Sequence, residues 1–269
     1  MSESGSSAPV VQAIAVTKQY KHGHIHVDSR RSDARPAKER VRFVPALNGI
    51  DLTVAKGEII GIVGPSGSGK TTLLNMIGGL DRPSHGQVLV DNVDLTTFND
   101  DQLADYRLRK IGFIFQFYNL IPTLTALENV ELPMNLAGVP KQEQETRAVE
   151  LLRIVGLESR VDHMPVEMSG GEQQRVAVAR ALANNPSVIL GDEPTGDLDS
   201  KSAEALMDLI VSLRKDRKMT FILVTHDPLV VIECDRVYSV RDGKVLRMQT
   251  KAENRKNIGD ERSMLNKLY

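Results

Sequence analysis

Residues 64–72 read GPSGSGKTT. The run fits G-x-x-x-x-G-K-[ST], with Gly64, Gly69, Lys70 and Thr71 at its fixed positions. Before it, Glu58 to Val63 (EIIGIV) is an apolar run of buried-strand length, and after it TLLNMIGGL opens a helical pattern. Strand, glycine loop and helix in that order confirm the motif. Gly64, Gly67 and Gly69 let the backbone turn tightly and approach an anion with no Cβ in the way. Successive N–H groups and the positive helix end then cradle phosphate oxygens. Lys70 adds a mobile point charge for the outer phosphates, and the Thr71 hydroxyl is placed to ligate magnesium.

A chain of 269 residues with 41% apolar residues builds one large domain, or one domain with a sizeable insertion. A net charge of −1 gives no global electrostatic footprint for nucleic acid, so none is expected as a partner. Cys234 is the single cysteine, which excludes an internal disulfide framework and fits a reducing compartment. No apolar run approaches the roughly 18 residues that span a bilayer. The opening MSESGSSAPV lacks the basic start of a signal peptide. Any membrane contact is therefore expected to run through a partner.

Residues 1–9 read as a disordered tail, and residues 10–249 as the core domain with a tail from 250 to 269. Val10–Tyr20 and Ala46–Val54 read as strands. Between them, residues 21–44 are basic and nearly without apolar periodicity, and are expected to form a long exposed loop. His22, His24 and His26 alternate within it, and Arg30, Arg31, Arg35, Lys38, Arg40 and Arg42 give it its charge. A solvated loop is the plain expectation; contact with a partner or with anionic headgroups is the other. Short strands over Gln87–Asp91 and Ile111–Phe115 flank a helix near Asp100–Arg109, with Asn99 as N-cap, acids first and bases last. Strands then disappear over 117–165. Ala126–Leu136 and Gln142–Val155 read as helices, the second with Val149, Leu151, Leu152 and Val155 on one side and Gly156 as its stop. From Gly170 onward helix and strand alternate: Gly170–Asn184, Val188–Gly191, Lys201–Arg217, Thr220–Thr225. This is α/β wrapping over a mainly parallel sheet. Asp242-Gly243 between Val237–Arg241 and Lys244–Met248 signals a hairpin.

SVILGDE (187–193) is an apolar strand that delivers two acids at its C-terminal edge, where an open α/β sheet places its ligand chemistry. Asp192 suits magnesium, and Glu193, one residue further, suits a water attacking the terminal phosphate. MSGGEQQR (168–175) opens a helix with Ser169 as N-cap and Gly170 and Gly171 leaving N–H groups open to an anion.

The order GPSGSGKTT, Gln116, MSGGEQ, ILGDEP, TGDLDS, His226 resembles the nucleotide-binding subunits of ABC transporters over nearly all of residues 10–248. The resemblance implies an α/β P-loop NTPase core with a mainly parallel sheet, an antiparallel β subdomain and an inserted α-helical subdomain near 117–165. It implies ATP and Mg2+ as ligands, and two copies arranged head to tail. In one copy Tyr20 would stack on adenine, while Gly64, Ser66, Gly67, Ser68, Gly69, Lys70, Thr71 and Thr72 hold the phosphates. Ser169, Gly170, Gly171, Glu172 and Asp199 would reach the nucleotide of the partner copy. Thr71, Gln116 and Asp192 would serve the metal, Glu193 would be the general base, and His226 would hold the γ-phosphate and orient Glu193. Three positions depart from the common pattern: Met168 replaces leucine, Gly191 a small apolar residue, and Asp197 asparagine. None removes a catalytic group.

GGLDRPSHGQVLVDN, IGFIFQFYNLIPTLTALENVELPM and VPALNGIDL are similar to the ATPases of lipoprotein release and of macrolide or peptide export, with the cell-division ATPase a near cousin. That implies a four-helix membrane permease as partner, docked near Phe117, Tyr118, Leu120 and the Ala126 helix, and a peripheral place on the cytoplasmic face of the membrane. A regulatory ATPase that signals through a membrane partner without moving cargo is the alternative. A soluble relative working on nucleic acid or the ribosome is disfavoured by the single core and the absence of a zinc-ligand cysteine set.

Overall fold

The computed structural model describes residues 9–25 and 40–256. Two sheets carry the chain. The first is antiparallel, in the order β2 (Arg40–Val54), β1 (Val11–Ile25), β4 (His85–Val90), β5 (Val93–Asp94). The second has six strands in the order β10 (Lys244–Thr250), β9 (Arg236–Arg241), β3 (Ile59–Val63), β8 (Phe221–Val224), β7 (Val188–Asp192), β6 (Ile111–Phe115). All of its neighbours pair parallel except β10, which folds back on β9. Non-consecutive strands lie side by side, so helices must cross over between them.

Side-chain alternation divides the core. Ile60 and Ile62 of β3, Val188 and Leu190 of β7, and Ile222 and Val224 of β8 pack toward one face, with α1 (Lys70–Ile77), α2 (Asp100–Lys110) and the antiparallel sheet. Ile59 and Val63, Ile189, and Phe221 and Leu223 pack toward the other. There they meet α5 (Gly170–Leu182), α6 (Ser200–Arg217) and α7 (Pro228–Glu233). A strand buried on both faces reads as an unbroken apolar run, which is why EIIGIV and SVIL were legible. α3 (Ala126–Leu136) and α4 (Lys141–Ile154) pack onto α5 through Val130, Met134, Ala148, Leu151 and Leu152.

Local signals act where expected. Asn99 caps α2 in a reciprocal box with Gln102; Thr125 and Glu128 form the same box on α3, a cap not among those expected from the sequence. Gly156 takes φ 72°, the left-handed turn that ends a helix. The chain ends its described part in α8 (Lys251–Lys256).

Two expectations are corrected. Residues 21–44 do not form one loop: residues 21–25 prolong β1 and residues 40–44 open β2. They pair from Tyr20↔Val44 to Ile25↔Arg40. Backbone ladder bonds hold such a ribbon without an apolar face, so periodicity gives no sign of it. Residues 26–39, with His26, Arg30, Arg31, Arg35 and Lys38, lie outside the described residues, as do 1–8 and 257–269. In α4, Val149 is exposed while Gln144 and Ala148 are buried. The buried stripe thus runs one turn earlier than the apolar residues alone suggest.

Candidate functional site

The glycine loop leaves β3, turns, and enters α1. Gly64 has φ 154° and Gly69 φ 103°, and a Cβ on either would strike backbone: the Val240 carbonyl for Gly64, the Ala46 carbonyl for Gly69. Only glycine fits both. Backbone bonds fix the loop to its surroundings: the Ser68 N–H donates to the Pro65 carbonyl (3.2 Å) and the Gly243 N–H to the Ser68 carbonyl (3.0 Å). Gly69 caps α1 without a side chain, and the Leu73 N–H reaches back to the Gly69 carbonyl at 2.8 Å. The N–H groups of the first helical turn, which have no intrahelical acceptor, are thus left to an anion.

A cavity of about 470 Å³ opens on this loop. Ala46, residues 64–72, Asp192, Glu193, Val224 and His226 line it. Ser68 is buried there with its Oγ unpartnered. A buried hydroxyl with no partner is costly unless a ligand supplies one, so the orphan fits a phosphate. Lys70 Nζ donates to the Gly64 and Pro65 carbonyls at 2.8 and 3.0 Å. Burial pulls its pKa below the usual lysine range, against the opposing charges of Glu193 and Asp192.

β7 delivers the acids. Burial raises the Asp192 pKa, with the Glu193 charge adding to it and the Thr71 hydrogen bond and Lys70 charge opposing. Thr71 Oγ1 donates to Asp192 Oδ1 at 3.3 Å. Among the described residues no three His, Cys, Asp or Glu side chains gather as a metal site. One hydroxyl and one carboxylate beside a phosphate cradle is the donor set that suits Mg2+, which keeps few protein ligands and takes the rest from phosphates and water. Glu193 sits at φ 49°, in the left-handed region, a costly conformation for a side-chain-bearing residue that clusters at functional sites. Its Oε2 lies 2.9 Å from His226 Nδ1 and accepts the His226 N–H at 3.2 Å.

The other expected residues lie outside this cavity. Ser169 caps α5: its Oγ accepts the Glu172 N–H (3.3 Å), while Glu172 Oε2 accepts the Ser169 N–H (2.8 Å) and hydroxyl (2.9 Å). Arg160 Nε reaches Glu172 Oε1 at 3.1 Å. Gly170 faces the Tyr118 hydroxyl, and Gly171 faces Ser202 of α6. Asp199 caps α6, accepting the Ser202 N–H at 3.0 Å and hydroxyl at 2.7 Å. Gln116 follows β6 and donates from Nε2 to Asp197 Oδ1 at 3.1 Å. Tyr20 lies inside β1 rather than at its end, 42% exposed, its hydroxyl donating to Asp81 Oδ2 at 2.8 Å.

Ala46 and Val224 line the cavity without having been singled out. Ala46 comes from β2, far from the loop in sequence, so no local signal marks it. Phe117 is 74% exposed at the turn after β6. Phe115 and Asn119, on either side of it in the chain, line a second cavity of about 410 Å³ between α2, β6, α3 and α5, with Leu108, Phe113 and Pro133 also in its wall.

A parallel sheet, a phosphate-cradling loop, an acid pair at a strand end and a capped second helix start together define an ATPase cassette. The sequence profile of the ABC transporter family matches residues 47–196, and the chain belongs to that family: it is an ATP-binding, ATP-hydrolysing cassette. It is 52% identical over 202 residues to an uncharacterized ABC transporter ATP-binding protein of Thermotoga maritima, covering 75% of this chain and 86% of the relative. It is 48% identical over 200 residues to the lipoprotein-releasing system ATP-binding protein LolD of Bacteroides fragilis, covering 74% and 93%. In structure it matches the ATP-binding cassette MJ0796 of Methanocaldococcus jannaschii, solved as a post-hydrolysis dimer bound to ADP and Pi. The TM-score is 0.76 at 43% identity, over 90% of this chain and 98% of that one. Among the described residues no helix is long and apolar enough to cross a membrane.

Proposed function

We propose that two copies of this chain close head to tail on ATP and so drive a membrane permease, for export or for extraction of a lipoprotein or peptide. One observation carries the reading. The cavity at the glycine loop is lined by Lys70, Asp192, Glu193 and His226, whereas no residue from the start of α5 lines it. A second anion-suited helix start in one chain finds its use when a second copy presents it.

In this reading residues 64–72 hold the phosphates. Thr71 and Asp192, with Gln116 on closure, would hold Mg2+, which would supply positive charge beside the phosphates. Glu193 takes a proton from the attacking water. His226 orients Glu193 and meets the γ-phosphate. Ser169, Gly170, Gly171 and Glu172 present the partner's half, Asp199 reaches across, and Tyr20 stacks on adenine. Phe117 and the neighbouring cavity receive a segment of the permease, which holds the cassette at the cytoplasmic face of the membrane.

The test is Glu193→Gln. ATP binding is expected to persist while hydrolysis falls by about 10²-fold or more, and light scattering is expected to show an ATP-dependent dimer. A variant that stays monomeric with ATP and keeps the parent rate overturns the reading. Affinity capture of the native chain from membranes is expected to bring the permease with it.

A further inference from the structure

We propose that Asp81 is a positioning residue for the purine end of the nucleotide: with Lys18 it fixes the Tyr20 ring beside the phosphate cavity. The inference rests on the reading of Tyr20 as the base platform and says what makes that platform rigid.

Lys18 and Tyr20 are two residues apart on β1, so their side chains share one face of the strand. Tyr20 is 42% exposed, so packing covers only part of its ring. Its tip is held as well. Asp81 Oδ2 accepts the Tyr20 hydroxyl at 2.8 Å. Asp81 Oδ1 accepts Lys18 Nζ at 2.6 Å and the Arg82 N–H at 2.7 Å. Lys18 Nζ also donates to the Arg82 carbonyl at 2.7 Å. Burial works against the charged form of Asp81. The hydrogen bonds from Lys18, Tyr20 and Arg82 outweigh it and hold the carboxyl below the usual range, so the acceptor is ionised at neutral pH. Ion pairs on open surface contribute little, but the Lys18 side chain is only 12% exposed, and this carboxylate is held by three donors.

The same group ties the ring to the phosphate end. The N–H groups of Leu80 and Asp81 both donate to the Asn75 carbonyl, at 2.9 and 3.3 Å. Asn75 belongs to α1, whose first turn carries Lys70, Thr71 and Thr72. The Tyr20 hydroxyl also lies against the Thr72 side chain, which lines the cavity. Ring and phosphate loop are thus two ends of one hydrogen-bonded unit. Lys18 Nζ sits 4.9 Å from the ring centroid, covering one face, so a base stacks on the other. A ring ordered in advance spares the ligand the entropy of ordering it.

The experiment measures steady-state hydrolysis of ATP by the full chain, together with inhibition by inorganic tripolyphosphate, which has no base. Asp81→Ala and Tyr20→Phe are each expected to raise KM for ATP by about threefold to tenfold, with kcat within about twofold. Inhibition by tripolyphosphate is expected to stay as in the parent. The double variant is expected to be no worse than the worse single one, because both remove the same contact. Should Asp81→Ala fail to fold, Asp81→Asn is read in the same way: its oxygen can still accept from Lys18 and the Arg82 N–H, but an NH2 replaces the carboxylate oxygen that accepts the Tyr20 hydroxyl. Equal weakening of ATP and tripolyphosphate makes Asp81 a support of the phosphate loop and overturns the inference. So does an unchanged KM, or a double variant whose defects multiply. Tyr20→Ala separates the two levels: with its KM unchanged the platform reading itself fails, and with its KM raised but Asp81 silent only the positioning role does.

Discussion

Glu193 and His226 meet through a single oxygen. Glu193 Oε2 lies 2.9 Å from the His226 ring Nδ1 and 3.2 Å from its backbone N–H. Two contacts from one residue set both the position and the direction of the carboxylate, on a residue that lines the cavity. The strained backbone of Glu193 is held in turn by its N–H on the Val224 carbonyl at 2.9 Å. The acid is thus oriented from β7, β8 and the turn after β8 at once.

His226→Ala keeps the acid but removes the ring that aims it. We expect kcat to fall by about 10²-fold while nucleotide binding persists. The His226 side chain is 67% exposed, so thermal unfolding without nucleotide should barely move. Steady-state kinetics and a melting curve on the same sample check both. A large drop in melting temperature would make the residue structural instead.

Ser68→Ala separates stability from binding by sign. The Oγ is buried with no partner, and removing an unsatisfied polar atom is neutral or stabilising. The melting temperature without nucleotide should therefore hold or rise. Affinity for ATP should fall by about 1 kcal/mol, roughly fivefold, as one hydrogen bond is lost. Calorimetry with ATP checks the second half.

The sequence was most legible where physics is local. The glycine loop, the Asn99 cap, the Gly156 stop and the doubly buried strands each carry their cause within a few residues. It was least legible where a contact spans the chain. The pairing of Tyr20 with Asp81, 61 residues apart, and of Gln116 with Asp197, 81 apart, leaves no periodic trace. The extension of β1 past Tyr20 and of β2 before Ala46 leaves no sequence mark because its ladder is backbone, and the exposure of Val149 leaves none because Gln144 is a polar residue placed inside.

Asp192 should make the metal requirement depend on pH. Burial, then the Glu193 charge, raises its pKa above the usual aspartate range. A raised acid binds its proton more tightly in the fold than in the unfolded chain, so stability falls as pH rises between the two values. At neutral pH the full cost is present. Asp192→Asn should therefore raise the melting temperature at neutral pH without nucleotide. The gain should vanish at about pH 3, below the usual aspartate value. In the parent, the Mg2+ concentration for half-maximal hydrolysis should rise as pH falls toward the raised value, because metal and proton compete for one carboxylate.

Arg160 and Glu172 set the charge at the start of α5. Hydrogen bonds from the Ser169 backbone, then its hydroxyl, with Arg160 assisting, hold the Glu172 pKa below its usual range despite some burial. A depressed acid stabilises above its unfolded value, and that stability is lost as pH falls through the folded value. Glutamine can keep the capping box, so Glu172→Gln should cost only the charge term, about 0.3–1 kcal/mol at neutral pH, shrinking toward acid. Function adds a second effect of opposite sign. If this helix start meets a partner's triphosphate, a carboxylate there repels it, and Arg160, 3.1 Å from Glu172 Oε1, offsets the repulsion. Arg160→Ala should then raise the ATP concentration needed for turnover, by about fivefold for 1 kcal/mol of uncompensated charge. Adding Glu172→Gln to Arg160→Ala should restore the parent value, because it removes the charge that had lost its partner. A merely structural Arg160 gives no such rescue: the double variant would then melt lower than either single one and turn over no better.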